Sequence, residues 1–136
     1  MTFNVELAAK MRDRILDVPA AYDQRYLNKL TDKSPCGAAG CLAGEAIICN
    51  APSVREGVME LQAYRFTGKS ADAFEKAASL LGLDSYEADL MFRADSLGWA
   101  SPFDQQFADA RTDEARAQVA AAYLQAMIDA EECQRR

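Results

Sequence analysis

Apolar residues recur at intervals of three and four along most of the chain, which is the spacing of a helix with one buried face. The first segment shows this spacing at five positions: Leu7, Ala8, Met11, Ile15 and Val18. Asn4 has a side chain suited to an N-cap, and Pro19 lacks the N–H that a further turn would need. We therefore predict a helix from about Asn4 to Asp17.

Residues typical of helix starts precede the later apolar stripes: Ser53, Ser70, Asp84, Ser101 and Thr112. Glutamates three positions after Ser53 and Asp84 complete the spacing of a capping box. Gly82 suits the left-handed C-cap of the helix that begins near Ser70. The last helix is predicted to run from Thr112 to about Ala130, and its inner face is assigned to four residues: Val119, Tyr123, Met127 and Ala130.

No segment alternates apolar and polar residues over the length of a good strand. In the segment 20–35, the aromatic and leucine positions favour a short helix lined by Tyr22, Tyr26, Leu27 and Leu30. We therefore predict an all-α protein, a single compact domain over residues 1–136. It would have six to eight short helices around a central helix of small residues, and no sheet of consequence.

The candidate for that central helix is the stretch "SPCGAAGCLAGEAIICN", residues 34–50, whose one charged residue is Glu45. On a helix spanning 37–49, Gly37, Gly40 and Gly44 fall within roughly 60° of each other. Each glycine inside a helix costs about 1 kcal/mol relative to alanine. We interpret the three as a strip against which neighbouring backbones pack, and we expect Glu45 to pair with Arg or Lys of the first helix.

The same stretch has two functional interpretations. Cys36 stands where the helix is predicted to begin, and free N–H groups there would lower the pKa of a thiol. Together with Gly37, Cys41 and Glu45, it forms a candidate reactive-thiol or anion site. The stretch lacks the Lys and Ser/Thr of a nucleotide-binding P-loop. Buried cysteines are also common core residues, and that structural interpretation is favoured.

Composition excludes several mechanisms. The chain has no histidine, which removes Ser-His-Asp and Cys-His catalysis and histidine-ligated metal sites. The spacing of its four cysteines is not that of a zinc site, so we predict no metal and no cofactor. No apolar run approaches the ~20 residues of a membrane span. The N-terminus has no signal-like pattern, and we expect a cytoplasmic protein with reduced thiols.

The formal net charge of −6 is concentrated in residues 84–114, which carry eight acids and two bases. Such a segment repels phosphate, so we predict no nucleic-acid or membrane partner and favour a protein with a basic surface. We assign partner binding to six residues: Asp84, Glu87, Asp95, Trp99, Asp104 and Asp109. The structural interpretations are favoured over this assignment: an acidic surface that only aids solubility, and a Trp99 that fills the core.

The segment "CGAAGCLAGEA" resembles the Cys-Gly-Thr-x-x-Cys-Ile-Ala-Gly-x-Ala core of a family of small uncharacterised bacterial and phage proteins. The matching residues are Cys36, Gly37, Cys41, Ala43, Gly44 and Ala46. "LLGL" at 80–83, then Trp99 and Phe103, keep the family's order, so that the likeness covers roughly residues 36–128. The chain departs at Ala38, where the family has Thr, and at Glu45, where an aromatic residue or His is usual. The resemblance implies a small helical domain, and it does not indicate any particular activity.

Two functions follow as hypotheses. The first is a non-enzymatic cytoplasmic interaction or regulatory protein, for instance a phage- or plasmid-type inhibitor that presents its acidic surface to a basic target. The second is a cysteine-based redox sensor, or an enzyme that binds a small molecule or anion, at the start of the Cys36–Cys49 helix. The sequence leaves enzymatic activity open but favours binding, and it leaves the partner and the oligomeric state open.

Overall fold

The computed structural model describes residues 2–24, 29–30, 38–39, 41–93 and 98–135. Within these ranges it has seven α-helices: α1 (Val5–Asp17), α2 (Leu42–Asn50), α3 (Val54–Phe66), α4 (Ser70–Leu81), α5 (Ser85–Phe92), α6 (Phe103–Asp109) and α7 (Asp113–Gln134). A 3₁₀ turn, Pro19–Ala21, follows α1. The predicted all-α class is confirmed.

Several helix ends lie where the cap residues predict them. The Asn4 side chain accepts a hydrogen bond from the N–H of Leu7 (3.1 Å) at the start of α1. The Thr112 hydroxyl accepts one from the N–H of Ala115 (3.0 Å) at the start of α7. Gly82 ends α4 in the left-handed conformation, with φ +73°, which glycine adopts without steric cost. Local side-chain chemistry therefore determines these boundaries.

Helix α2 is the central helix, as predicted, but it is shorter than expected. Every residue from Leu42 to Ile48 is buried, and the helix packs against α1, α3, α4 and α5. It begins at Leu42, whereas the glycine pattern predicted a start near residue 37. Cys41 is the extended N-cap residue, with ψ −175°. Gly44 is the member of the predicted glycine strip that lies in α2, and Gly37 and Gly40 are outside the described residues.

The residues before Cys41 are partly extended. Ala38–Ala39 form a two-residue strand, β2, which pairs antiparallel with β1, Lys29–Leu30. The predicted short helix over 20–35 is therefore wrong at Leu30, and Tyr26 and Leu27 lie outside the described residues. Strand pairing offers the backbone of Ala38–Ala39 a set of hydrogen bonds other than the helical ones. These two residues are therefore not part of the helix.

A glycine of α3 allows a close helix crossing in the core. A Cβ atom on Gly57 would lie 2.6 Å from the Cα of Ile48 in α2. Real Cβ atoms do not approach backbone that closely, so only glycine permits this crossing. This close approach is made by a glycine of α3 that the sequence pattern did not single out, and the predicted strip of Gly37, Gly40 and Gly44 stays a prediction.

Helix α7 packs mainly against α1 and α6, with a buried face that matches the predicted one in part. Its buried residues are Ala117, Ala120, Ala121, Tyr123, Leu124 and Ile128. Of the four residues assigned to the inner face, Tyr123 is buried, Val119 and Met127 are half-buried, and Ala130 is exposed. Alanines supply half of the six buried positions, and their small side chains let the neighbouring helices approach closely. No helix of the described ranges is long and apolar enough to cross a membrane.

Candidate functional site

Two of the predicted partner-binding acids, Asp84 and Glu87, start helix α5. The Asp84 carboxylate accepts a hydrogen bond from the N–H of Glu87 (2.8 Å), and the Glu87 carboxylate accepts one from the N–H of Asp84 (3.1 Å). This reciprocal pair is the capping box that the sequence predicted. Both side chains are exposed. They therefore stabilise the helix and present negative charge to solvent at the same time.

Asp84 also lies on the rim of an open groove between α4 and α5. The groove encloses about 720 Å³, a size typical of ligand and peptide sites. Its lining residues come from both helices and the turn between them: Phe74, Glu75, Ala78, Ser79, Leu83, Asp84, Ser85, Ala88, Asp89, Phe92 and Arg93. We call this the α4–α5 groove. The sequence pattern does not predict this groove, because the relative position of its two walls depends on how α4 and α5 pack.

The α4–α5 groove has an apolar floor and a mainly acidic rim. The rings of Phe74 and Phe92 lie with their centroids 6.1 Å apart in the floor. Three acids line the groove, Glu75, Asp84 and Asp89, against one base, Arg93, and all four are exposed. An apolar surface ringed by charges of one sign is typical of a binding site for a partner of opposite charge.

The remaining predicted acids are not part of this groove. Asp104 and Asp109 belong to α6, which packs on α7, whereas α5 packs on α4 and α2. Their carboxylates accept hydrogen bonds from Gln105, from its backbone N–H at 2.8 Å and its side-chain amide at 2.9 Å. Asp95 lies outside the described residues. The −6 segment is thus distributed over at least two helical surfaces.

Trp99 is a core residue, which corrects its assignment to partner binding. Only 2% of its surface is exposed. The indole ring stacks on Tyr123, with centroids 4.6 Å apart, and its N–H donates to the carbonyl of Met91 (3.0 Å). A side chain with both its ring face and its polar atom engaged inside the core offers nothing to a partner. The alternative interpretation, in which Trp99 fills the core, is the one the structure supports.

Two of the described cysteines, Cys41 and Cys49, are poorly suited to nucleophilic chemistry. Cys41 is buried, with 1% of its surface exposed, and burial raises the pKa of its thiol to about 11. Burial likewise raises the pKa of Cys49 to about 12. Both thiols are therefore neutral at pH 7, and the thiolate is the reactive form. Cys133 is exposed, while Cys36 and Gly37 lie outside the described residues.

Glu45 pairs with the first helix, as expected. Its side chain is fully buried, and its Oε2 accepts a hydrogen bond from Nε of Arg14 at 2.8 Å. The other oxygen, Oε1, has no hydrogen-bond partner among the described residues. Burial raises the pKa of Glu45 to about 7 because the loss of hydration outweighs the attraction of Arg14. This pair links α1 to α2 inside the core.

A buried glutamine, Gln24, links the end of α5 to the start of α2. The sequence pattern did not predict this role. Gln24 donates from its amide to the carbonyls of Met91 (3.0 Å) and Arg93 (2.8 Å) at the end of α5. Its amide oxygen accepts from the hydroxyl of Tyr22 (2.9 Å) and the N–H of Leu42 (3.3 Å). Gln24 thereby satisfies backbone groups at two helix ends. No sequence motif marks it, because the partners are distant in the chain.

The described residues contain no group of three or more acids and cysteines that could hold a metal ion. No family model matches the chain, and no curated protein or solved structure is significantly similar to it. The resemblance to small bacterial and phage proteins therefore stays a prediction.

Proposed function

We propose that this chain is a non-enzymatic cytoplasmic interaction or regulatory protein that binds a basic protein partner through the acidic surface of residues 84–114. An inhibitor of phage or plasmid type would be one such protein. The observation that carries the proposal is the exposed α4–α5 groove, in which acids surround an apolar floor. A cationic protein surface with apolar side chains would gain both hydrophobic and electrostatic free energy there.

The cysteine-based alternative has less support. Cys41 belongs to the predicted thiol site, and its buried, neutral thiol is unsuited to attack or sensing. Glu45, the acid of the same site, is engaged with Arg14 and is closed to solvent. Rapid alkylation of Cys36 at neutral pH in the folded protein would support the cysteine-based function, and slow alkylation would exclude it.

The proposal is tested by comparing two affinity baits that differ only in where charge has been removed. The first carries Asp84→Asn, Glu87→Gln, Asp104→Asn and Asp109→Asn, substitutions that keep the hydrogen-bonding shape of each side chain. The control carries four substitutions at exposed acids outside the segment: Glu6→Gln, Asp17→Asn, Asp129→Asn and Glu132→Gln. Each bait has lost four negative charges, so unspecific effects of net charge cancel.

We expect the wild-type and control baits to retain the same basic protein from a cell extract, and the first variant to lose it. Mass spectrometry identifies the retained protein, and purified components then give the affinity at about 0.15 M salt, where exposed charges are screened beyond ~8 Å. Equal retention by all three baits would refute the proposed role of the acidic segment.

A further inference from the structure

We infer that the α4–α5 groove binds an amphipathic α-helix of the partner, which places its apolar face on the floor and its lysines or arginines against the rim. This inference rests on the proposed function and adds the location of the site and the form of the ligand. Recognition of a helix in an apolar groove uses side chains spaced at three, four and seven positions on the ligand.

The dimensions of the groove suit a helix. Its walls are α4, with twelve residues, and α5, with eight. At a rise of ~1.5 Å per residue the walls are about 18 Å and about 12 Å long. Two to three turns of a bound helix therefore fit between them. Ala78 and Ala88, one from each wall, are small enough to leave depth for leucine-sized side chains between the phenylalanines of the floor.

The rim acids are available for a cationic ligand. Within the described part of the chain, neither Glu75 nor Asp89 forms a hydrogen bond or an ion pair. Glu60 of α3 differs, because it forms an ion pair with Lys76. Asp72 is exposed and lies one turn before Glu75, on the same side of α4. Like charges placed along an apolar groove repel one another, and a ligand with bases at both edges relieves that repulsion.

The same charges argue against two other occupants. A second copy of this chain would bring a protein of net charge −6 onto an acidic rim, which costs electrostatic free energy. Nucleic acid would oppose its phosphates to the same acids. A cationic amphipathic helix matches both features of the groove, because its apolar face can cover the floor and its basic side chains can pair with the rim acids.

The test uses a labelled peptide of about 15 residues, built from leucine and lysine so that the leucines form one helical face. A peptide of identical composition with scrambled order serves as the control for net charge. Fluorescence anisotropy at about 0.15 M salt measures binding to the full-length protein. We expect the amphipathic peptide to bind at least about tenfold more tightly than the scrambled one, because only the former presents an apolar face to the floor.

Three charge variants locate the site. The groove variant carries Glu75→Gln, Asp84→Asn and Asp89→Asn. The α6 variant carries Asp104→Asn and Asp109→Asn of α6 together with Glu114→Gln in the first turn of α7. The distal variant carries Glu6→Gln, Asp129→Asn and Glu132→Gln. All three remove the same charge from exposed or half-exposed positions. We expect the groove variant to bind the peptide about tenfold more weakly, and the other two to bind like the wild type.

Filling the groove tests its apolar floor independently of charge. Ser79 and Ser85 line the groove and are exposed, so Ser79→Trp and Ser85→Trp add bulk there without disturbing the core. Both should abolish peptide binding while circular dichroism and thermal unfolding stay unchanged. Ala122→Trp, at an exposed position of α7, should have no effect. Two filling positions are used so that a local folding defect in one does not decide the result.

The outcomes separate this inference from the proposed function. If the α6 variant loses the peptide and the groove variant does not, the acidic segment binds cations but the groove assignment is wrong. If no charge variant matters, both proposals fail. Equal binding of the scrambled peptide would show an unspecific charge effect, and concentration-dependent dimerisation that the tryptophan variants prevent would show that a second copy occupies the groove.

Discussion

The core around α2 and the α4–α5 groove both combine carboxylates with apolar side chains, yet the acids serve different ends. Glu45 is fully buried, and one of its oxygens is held by Arg14. Glu75 and Asp89 are exposed, and no hydrogen bond or ion pair within the described residues engages them. Glu45 therefore contributes to the stability of the fold, whereas Glu75 and Asp89 are accessible to a binding partner.

This contrast gives a rule for separating the two kinds of acid by experiment. Substitution of a buried, paired acid or of its partner changes the free energy of unfolding, because an uncompensated charge stays in the core. Substitution of a rim acid by its amide leaves that free energy nearly unchanged and alters only binding. Asp84 stands between the two classes, since it caps α5 and also lines the groove.

The largest expected effect is that of Arg14→Ala. At pH 8, where Glu45 is mostly ionised in the wild type, this change removes the guanidinium beside it, so that the carboxyl must take up a proton or stay charged in the core. We expect the free energy of unfolding to fall by about 3–5 kcal/mol, measured by urea denaturation. Lys10→Ala, an exposed position of the same helix, is the control. A loss below about 1 kcal/mol would mean that the pair contributes no more than a surface ion pair.

The pH dependence of stability tests the same pair without removing it. The folded-state pKa of Glu45 is raised from 4.5 to about 7, so the folded protein binds a proton more tightly than the unfolded chain. The contribution of this proton to the free energy of unfolding is fully present below pH 4.5 and is lost as the pH rises through 7. We expect this loss to be of order 3 kcal/mol in the wild type and absent in Glu45→Gln. Identical pH profiles of the two proteins would contradict the assignment.

Gly57→Ala examines the close crossing of α2 and α3. The added methyl group would meet the Cα of Ile48 at 2.6 Å, and overpacking of this kind costs about 1–3 kcal/mol. Alanine's higher helix propensity, about 1 kcal/mol, partly offsets the cost. Thermal unfolding should therefore show a lower melting temperature. An increase would show that the two helices separate easily.

The smallest effect distinguishes the two roles of Asp84. Asp84→Ala removes the N-cap of α5 and should cost about 1 kcal/mol, whereas Asp84→Asn keeps the cap and should be nearly neutral. Urea denaturation of the two variants side by side measures the difference. If both cost the same, the charge of Asp84 contributes to folding and the rim is not independent of stability.

Much of the helical framework was predictable because local chemistry determines it. Asn4, Gly82, Asp84 and Thr112 mark helix ends through their own side chains or backbone freedom. The pairing of Glu45 with the first helix followed from the cost of burying a lone carboxylate. Such features depend on a few neighbouring residues or on one strong energetic requirement.

The errors arose where tertiary contacts decide. The glycine pattern before α2 fits a helix, but Ala38–Ala39 pair antiparallel with the strand Lys29–Leu30. The predicted inner face of α7 is only partly right, because apolar residues occur on all sides of that helix and periodicity alone does not select one side. Trp99 lies in a region of breaks and acids, and only the stacking on Tyr123 reveals that it is buried. The α4–α5 groove and the Gln24 network depend on packing and left no signal in the sequence.

The distinction between structural and partner-binding acids is tested most directly by measuring the stability and the peptide binding of two variants. Glu45→Gln should change the pH profile of unfolding and bind the amphipathic cationic peptide like the wild type. The groove variant, Glu75→Gln with Asp84→Asn and Asp89→Asn, should unfold like the wild type and bind that peptide about tenfold more weakly. If Glu45→Gln weakens binding, or the groove variant binds normally, the separation between structural and partner-binding acids is contradicted.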